Sequence, residues 1–369
     1  MRKSTFLFFI ICFVLLLFLV TSRQSQTVFA PENHRDTITE SVRHLSLEQK
    51  LGQLFLLGLS EPVSLEAFLP LVREGRIGGF IIMGGNVRGT EKLPETIAVL
   101  QRAAASTSPA TAPLFVATDQ EGGAISRFQG VGFIRTAQAE LPDADTAYET
   151  ARRRGQELRG LGVNMNFSPV MDEADPTSFL YKRTFRGTQE EIALLGGAMV
   201  RGYRDGGIIP VPKHFPGHPR ESTDSHKVLP QAQGDSAWFR EHIRQFTYLL
   251  NEEKPDVLMT AHVLYPSIDS VPATLSSVIL TDTLRDSLDF GGVIVTDDLN
   301  MGALRSSFSL AESTVRALEA GNDMLLIVGT RQDLQRATEA VRGAIESGRI
   351  TESRIDESVT RLIRLKGNL

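Results

Sequence analysis

The sequence predicts an α/β fold, a single (β/α)8 TIM-type barrel preceded by an N-terminal apolar leader. Two observations carry this. After Leu45, short apolar or β-branched runs alternate with amphipathic stretches of helical spacing, about eight times over. The runs are continuously apolar rather than alternating, as in a parallel sheet buried on both faces. Eight such units close naturally into a barrel. A doubly wound open sheet is the second choice.

The expected strands are Gln53–Leu59, Gly79–Met83, Leu114–Asp119, Asn164–Val170, Ile208–His214, Val257–His262, Val293–Asp297 and Met324–Val328. The expected helices are Leu65–Glu74, Glu95–Ala105, Tyr148–Leu161, Glu190–Asp205, Ala237–Asn251, Leu275–Ser287, Ala311–Ala320 and Arg331–Ser347. After residue 330 only helical pattern remains, which leaves little room for a second domain. Residues 45–369 are therefore read as one barrel domain.

The N-terminus reads as an address. Met1-Arg2-Lys3 is basic, and Phe6–Val20 is an unbroken apolar run of 15 residues. Secretory cores span roughly 7–15 residues and membrane helices about 20, so residues 1–30 fit a signal peptide or a membrane anchor. Residues 31–44 are polar and read as a linker. Both readings place the barrel outside the cytoplasm, secreted or anchored by the N-terminus.

Composition excludes several classes. With 44 acidic and 39 basic side chains the formal charge is −5, and no basic block suggests nucleic acid. The single cysteine, Cys12, lies in the leader, so a disulfide scaffold and cysteine-ligated metal sites are excluded.

Polar residues collect where the strands end, the rim on which barrels place their chemistry. These ends carry Asp119-Gln120-Glu121, Asp172, Lys213 through His218, Ala261-His262 and Asp297-Asp298. Charges ending apolar strands cost desolvation unless paired or used. Side chains alternate along a strand, so only one of Asp297 and Asp298 faces the axis. A strand-end carboxylate suits attack at an anomeric carbon; a helix cap is the plainer reading. In Asp224-Ser225-His226 the Asp can hold one ring nitrogen and free the other for proton transfer, although an exposed loop histidine has the same spacing. Arg127, Arg183 and Lys213 are long donors suited to sugar hydroxyls. His214, His218, His226 and His262 could gather, but no HExxH spacing appears and no metal or cofactor is expected. The glycines at 84–89 do not fit GxGxxG, and no GxSxG elbow occurs.

Lys213-His214-Phe215-Pro216-Gly217-His218 followed by Asp224-Ser225-His226 resembles the signature of the β-N-acetylhexosaminidases of glycoside hydrolase family 3. Further segments resemble the same family in the same order: Leu45 through Phe55, Asp119 through Gly123 with Arg127-Phe128, Lys182-Arg183-Thr184-Phe185, Ala261-His262 before Tyr265-Pro266, and Val295 through Met301. The resemblance implies a barrel that removes terminal non-reducing β-linked N-acetylglucosamine with retention, through a covalent glycosyl-enzyme. It implies Asp297 as nucleophile, His226 as acid/base supported by Asp224, and Asp119, Arg127, Arg183, Lys213 and His214 as sugar-binding residues. The implied partner is a GlcNAc-ended carbohydrate such as a peptidoglycan fragment, with water or phosphate as acceptor. Pro219-Arg220-Glu221 departs from the family's Gly-Asp-Thr. Its expected consequences are a stiffer loop and a preference for anionic substrates. A catalytically impaired sugar-binding barrel and a β-glucosidase-like member are the alternatives.

Overall fold

The computed structural model describes residues 32–60, 64–87, 92–107, 111–129 and 132–369. The chain forms two compact units, residues 1–40 and 41–369. Of the first, the described part is helical: α1, Glu32–Arg43, begins in it and runs into the second. The segment read as a linker is thus a helix over most of its length. Ile38 and Val42 lie four residues apart, on one helical face, and Val42 is buried. The apolar run at 6–20 lies outside the described residues. Among the described residues no helix is long and apolar enough to cross a membrane.

The larger unit is built on short parallel strands. After helix α2 (Leu47–Gln53) come β1 (Phe55–Leu59), β2 (Gly79–Ile82) and β3 (Phe115–Thr118). A small antiparallel hairpin follows, β4 (Gln120–Gly122) with β5 (Ile125–Ser126). The parallel set continues with β6 (Met165–Asn166), β7 (Ile209–Pro210), β8 (Val257–Met259), β9 (Val293–Val295) and β10 (Leu325–Gly329). Parallel pairing runs β10-β1-β2-β3-β6-β7, and β8 pairs with β9. Isolated bridges join the pieces, Phe215 to Thr260 between the β7 end and β8, and Val295 to Met324 between β9 and β10. The eight parallel segments therefore meet in a ring, in a TIM-barrel-like α/β fold. Strands β1, β2 and β3 are buried at every residue, as continuous apolar runs require.

A helical segment follows each parallel strand. These are α3 (Leu69–Arg73), α4 (Leu93–Thr107), α5 (Ala144–Gly160), α6 (Gln189–Asp205), α7 (Ser236–His242) with α8 (Arg244–Glu253), a wide-pitched turn set at Val278–Ser287, α9 (Gly302–Arg305) with α10 (Leu310–Ala320), and α11 (Arg331–Glu346). Helix α12, Glu352–Lys366, follows. Starts are capped as the sequence dictates: at α6, Thr188 and Glu191 satisfy each other's backbone N–H groups in a capping box. The structure shifts several expected elements. Gln53 ends α2 rather than opening β1. Leu65–Glu74 begins as a tight turn, with α3 starting at Leu69 and Pro70 in its first turn. Ala237–Asn251 breaks at Ile243 into α7 and α8. Expected strands four and five shrink to two residues each, and their pairing resumes beyond Pro169 and Pro212 only as the isolated bridge between Val170 and Lys213.

Two polar anchors hold α12 beneath the barrel. Asp323, fully buried, accepts from Ser358 Oγ (2.8 Å), Arg361 Nη1 (2.9 Å), Arg285 Nη2 (2.5 Å) and Ile294 N (3.0 Å). Lys366 Nζ is buried and donates only to neutral oxygens, Gln53 Oε1 (2.6 Å) and Thr111 O (2.7 Å). Burial pushes its ammonium down to about 7. Because the folded value lies below the unfolded one, the unfolded chain binds more protons between these values and stability rises with pH. Urea denaturation from pH 7 to 9 should show a gain of up to about 1.4 kcal/mol per pH unit. Lys366→Met should remove that slope, and a slope unchanged in the variant would assign it elsewhere.

Candidate active site

The site is a rim of charge above a buried apolar barrel. Asp119 closes β3, and Glu121 follows two residues later, on the same side of an extended chain. Lys213, beyond β7, bridges them with Nζ 2.9 Å from Asp119 Oδ1 and 2.6 Å from Glu121 Oε1. Arg127, just after the β4–β5 hairpin, reaches Asp119 Oδ2 at 3.1 Å. Arg183, on the loop after β6, grips Glu121 with two bonds of 2.8 Å. Four of the five sugar-binding residues expected from sequence are thus one connected network, and Glu121 is the member sequence reasoning missed. Its signal was present, because positions 119 and 121 share a face.

Burial works against the carboxylates, yet Lys213 and Arg127 hold Asp119 well below the ordinary range, and Arg183 and Lys213 do the same for Glu121. Lys213, nearly unexposed, is kept charged by the two carboxylates despite desolvation. Three cations face two anions, a surplus suited to polar, electron-rich oxygens. Arg127 Nε is buried with no partner, a donor left over for a ligand.

His214 extends the network. Its Nδ1 lies 2.7 Å from Asp172 Oδ2, and Asp172 also accepts from the N–H groups of His214 (3.2 Å) and His218 (2.7 Å). His218 Nδ1 faces Ser222 Oγ at 2.9 Å, and burial pushes this imidazole down to about 3, so it is neutral. Asp172, His214 and His218 are the one described group close enough to hold a metal, but both Asp172 oxygens are already occupied by N–H donors.

Asp297 and Asp298 part company at the end of β9. Asp298 turns to the backbone, its Oδ1 accepting from Asn300 N (3.0 Å) and Val328 N (2.8 Å), and so pins β9 to β10. Burial and the adjacent Asp297 push Asp298 up to about 7 despite those N–H groups. Asp297 lies among the rim's basic groups instead. Burial opposes its ionisation, but His214, His262, the Asp298 N–H and Lys213 together hold it below the usual range. His262, fully buried, orients this corner by donating Nε2–H to the Asp298 carbonyl at 2.9 Å.

The loop after β7 brings Asp224 and His226. Asp224 Oδ1 sits 2.8 Å from His226 Nδ1 and 3.0 Å from its backbone N, so the ring is held and Nε2 is free. The side chain of His226 is 64 % exposed, and Phe179 stands edge-on at 6.4 Å. The loop is tied to the Asp297 strand end through Gly302 N–H to His226 O (3.2 Å) and Ala303 N–H to Ser225 O (3.1 Å). A Cβ on Gly302 would lie 2.5 Å from His226 O, so only glycine lets the backbones meet. Arg220 has acidic partners within the chain. It pairs with Asp175 (3.3 Å) and lies 3.9 Å from Glu173, which answers its charge within the chain.

The arrangement offers an ionised carboxylate, an oriented imidazole on a docked loop and a polar cradle. The chain matches the glycosyl hydrolase family 3 N-terminal domain over residues 46–365 and belongs to that family. It is 31 % identical over 331 residues to beta-hexosaminidase A of Pseudoalteromonas piscicida, covering 81 % of this chain and 54 % of that protein. It is 32 % identical to a beta-hexosaminidase of Idiomarina loihiensis, over 73 % of this chain and 82 % of that one. Among solved structures, a family 3 beta-N-acetylglucosaminidase from Paenibacillus sp. superposes with a TM-score of 0.82 at 37 % identity, covering 88 % of this chain and 62 % of that chain. The chain thus spans about half of the Pseudoalteromonas protein and under two thirds of the Paenibacillus one.

Gly302 gives the site's own test. Gly302→Ala should push the His226 loop from the Asp297 strand end and lower kcat by roughly a hundredfold, with KM changed far less. Steady-state kinetics with matched circular dichroism check this, and an unchanged kcat would mean the docking is dispensable.

Proposed function

We propose that the protein is a retaining exo-β-N-acetylglucosaminidase acting on terminal β-linked N-acetylhexosamine. The carrying observation is the Asp224–His226 pair, formed on a loop that the backbone ties to the strand end bearing ionised Asp297. Asp119, Arg127, Arg183, Lys213 and His214 bind the terminal sugar. Asp297 attacks the anomeric carbon while His226 Nε2–H protonates the departing oxygen, giving a glycosyl-enzyme. His226, now neutral, takes a proton from incoming water, which releases the sugar with retained configuration and frees Asp297. Phosphate could replace water in the second step. A neutral imidazole, unlike a second carboxylate, adds no negative charge beside the nucleophile.

The apolar run at 6–20 supports an extracytoplasmic setting, by secretion or anchoring, and with it peptidoglycan fragments or other GlcNAc-ended sugars as substrates. The named relatives are beta-hexosaminidases and a beta-N-acetylglucosaminidase, which favours N-acetylglucosaminides over glucosides.

Incubation with a chromogenic β-GlcNAc substrate tests the reading. Turnover should exceed that of the β-glucoside, the first sugar anomer seen by proton NMR should be β, and Asp297→Ala should lose roughly 10⁴-fold in kcat. Binding without turnover in the wild type would leave a sugar-binding barrel instead. The acid limb of kcat/KM is a separate expectation. The nucleophile is lost as falling pH protonates Asp297, whose value is depressed, so the limb should lie below pH 3.8, the ordinary Asp value. A limb above pH 5 would exclude Asp297 as the group that must be ionised.

A further inference from the structure

We infer that Asp172 is a positioning residue of this reaction, acting through the His214 ring and the His218 backbone to fix the sugar-site floor and the root of the His226 loop together. Its effect on turnover rests on the glycosidase reading; its geometry does not. Asp172 is fully buried, so it acts through other groups rather than on a ligand.

A buried carboxylate persists only where its oxygens are satisfied. Both partners of Oδ2, the N–H and Nδ1 of His214, belong to the residue that follows Lys213. The partner of Oδ1 is the N–H of His218. Two of these three contacts are backbone N–H groups, which can only donate, and an ionised carboxylate only accepts. Burial would push Asp172 up, but His214 and the His218 N–H hold it well below the ordinary carboxylate range. The remaining charged or titratable groups whose fields involve this carboxylate are Arg183, His242 and Tyr265.

Two consequences follow. On the strand side, Nδ1 of His214 is committed to Asp172, which leaves Nε2 as the ring position free for the site. His214 is also the first neighbour that offsets burial at Asp297, so a turn of this ring is felt at the nucleophile. On the loop side, the Oδ1 bond fixes the backbone where the loop departs. Ser222 donates to Thr223 O at 3.1 Å, so its oxygen accepts from His218 Nδ1–H at 2.9 Å, and the chain then passes to Asp224 and His226. One carboxylate thus sets two catalytic regions that enter the site from different directions.

Asp172→Asn keeps the volume but points an amide N–H₂ at a backbone N–H. It should lower kcat about a hundredfold and leave KM within about threefold. Because the ring route is shared while the His218 backbone route is not, the Asp172→Asn/His214→Gln double variant should lose less in kcat than the product of the two single losses. A spectroscopic readout stands apart from turnover. The wild type should show a slowly exchanging downfield imidazole proton for His214 Nδ1–H, assigned by its loss in His214→Gln and absent in Asp172→Asn. Wild-type protein without that resonance overturns the inference, whether or not the variant folds. So does a folded Asp172→Asn protein that keeps the resonance or full kcat, or whose defect multiplies with that of His214→Gln. If the wild type fails to hydrolyse β-GlcNAc substrates, the glycosidase reading falls while the resonance still decides the role of Asp172.

Discussion

The Lys213 ammonium, lodged between Asp119 and Glu121 at the mouth of the barrel, is the constraint from which the site is built. An isolated charge at this depth would be too costly to keep. Two carboxylates from the end of β3 retain it, and Arg127 and Arg183 in turn retain the carboxylates. Removing either carboxylate or Lys213 would weaken the pairing of charges held at depth, so the network fixes the relative positions of β3, the β6 loop and the β7 end. The barrel supplies the geometry, because parallel strands deliver all their C-terminal ends to one rim. The network then converts that rim into a rigid cradle with one positive charge in excess.

What the sequence disclosed follows from which interactions are local. Continuous apolar runs announced β1, β2 and β3, because burial on both faces removes alternation. The Asp224–His226 pair was legible because both partners lie within three residues and share one loop. Other features depend on partners far along the chain. Asp172 was marked only as a polar residue near a strand end; its partner His214 lies 42 residues later, and nothing in the sequence pairs them until the fold joins β6 to β7. Gly302 is one glycine among 31, and only the approach of the His226 carbonyl shows why it must be glycine. Glu121 stood inside a quoted motif and shares a face with Asp119, so alternation alone would have singled it out. Helix α1 was missed because a polar stretch of mixed charge looks like a linker until the Ile38–Val42 spacing is given weight. The acidic partners of Arg220 were hidden for a similar reason. Its two carboxylate neighbours are remote in sequence and close in space.

Asp297 and Asp298 show how far a local environment can separate identical side chains. They are joined by one peptide bond and lie at one strand end, yet their ionisation is driven in opposite directions. Asp298 receives only neutral N–H donors and stands next to a like charge, so burial wins and its carboxyl rises to about 7. Asp297 is half-buried as well, but Lys213, His214, His262 and the Asp298 N–H act on it, and together these outweigh desolvation. The strand's alternation decides which carboxylate meets the cations and which meets the backbone of β10. One carboxylate must stay ionised among the rim's basic groups, and the other must stay hydrogen-bonded as a brace between strands. Here one dipeptide does both, because each carboxylate is given only the neighbours its task needs. The price of this division is paid at the cations, which must be held close together against their own repulsion. That in turn explains why Asp119 and Glu121, rather than a single acid, stand among Lys213, Arg127 and Arg183.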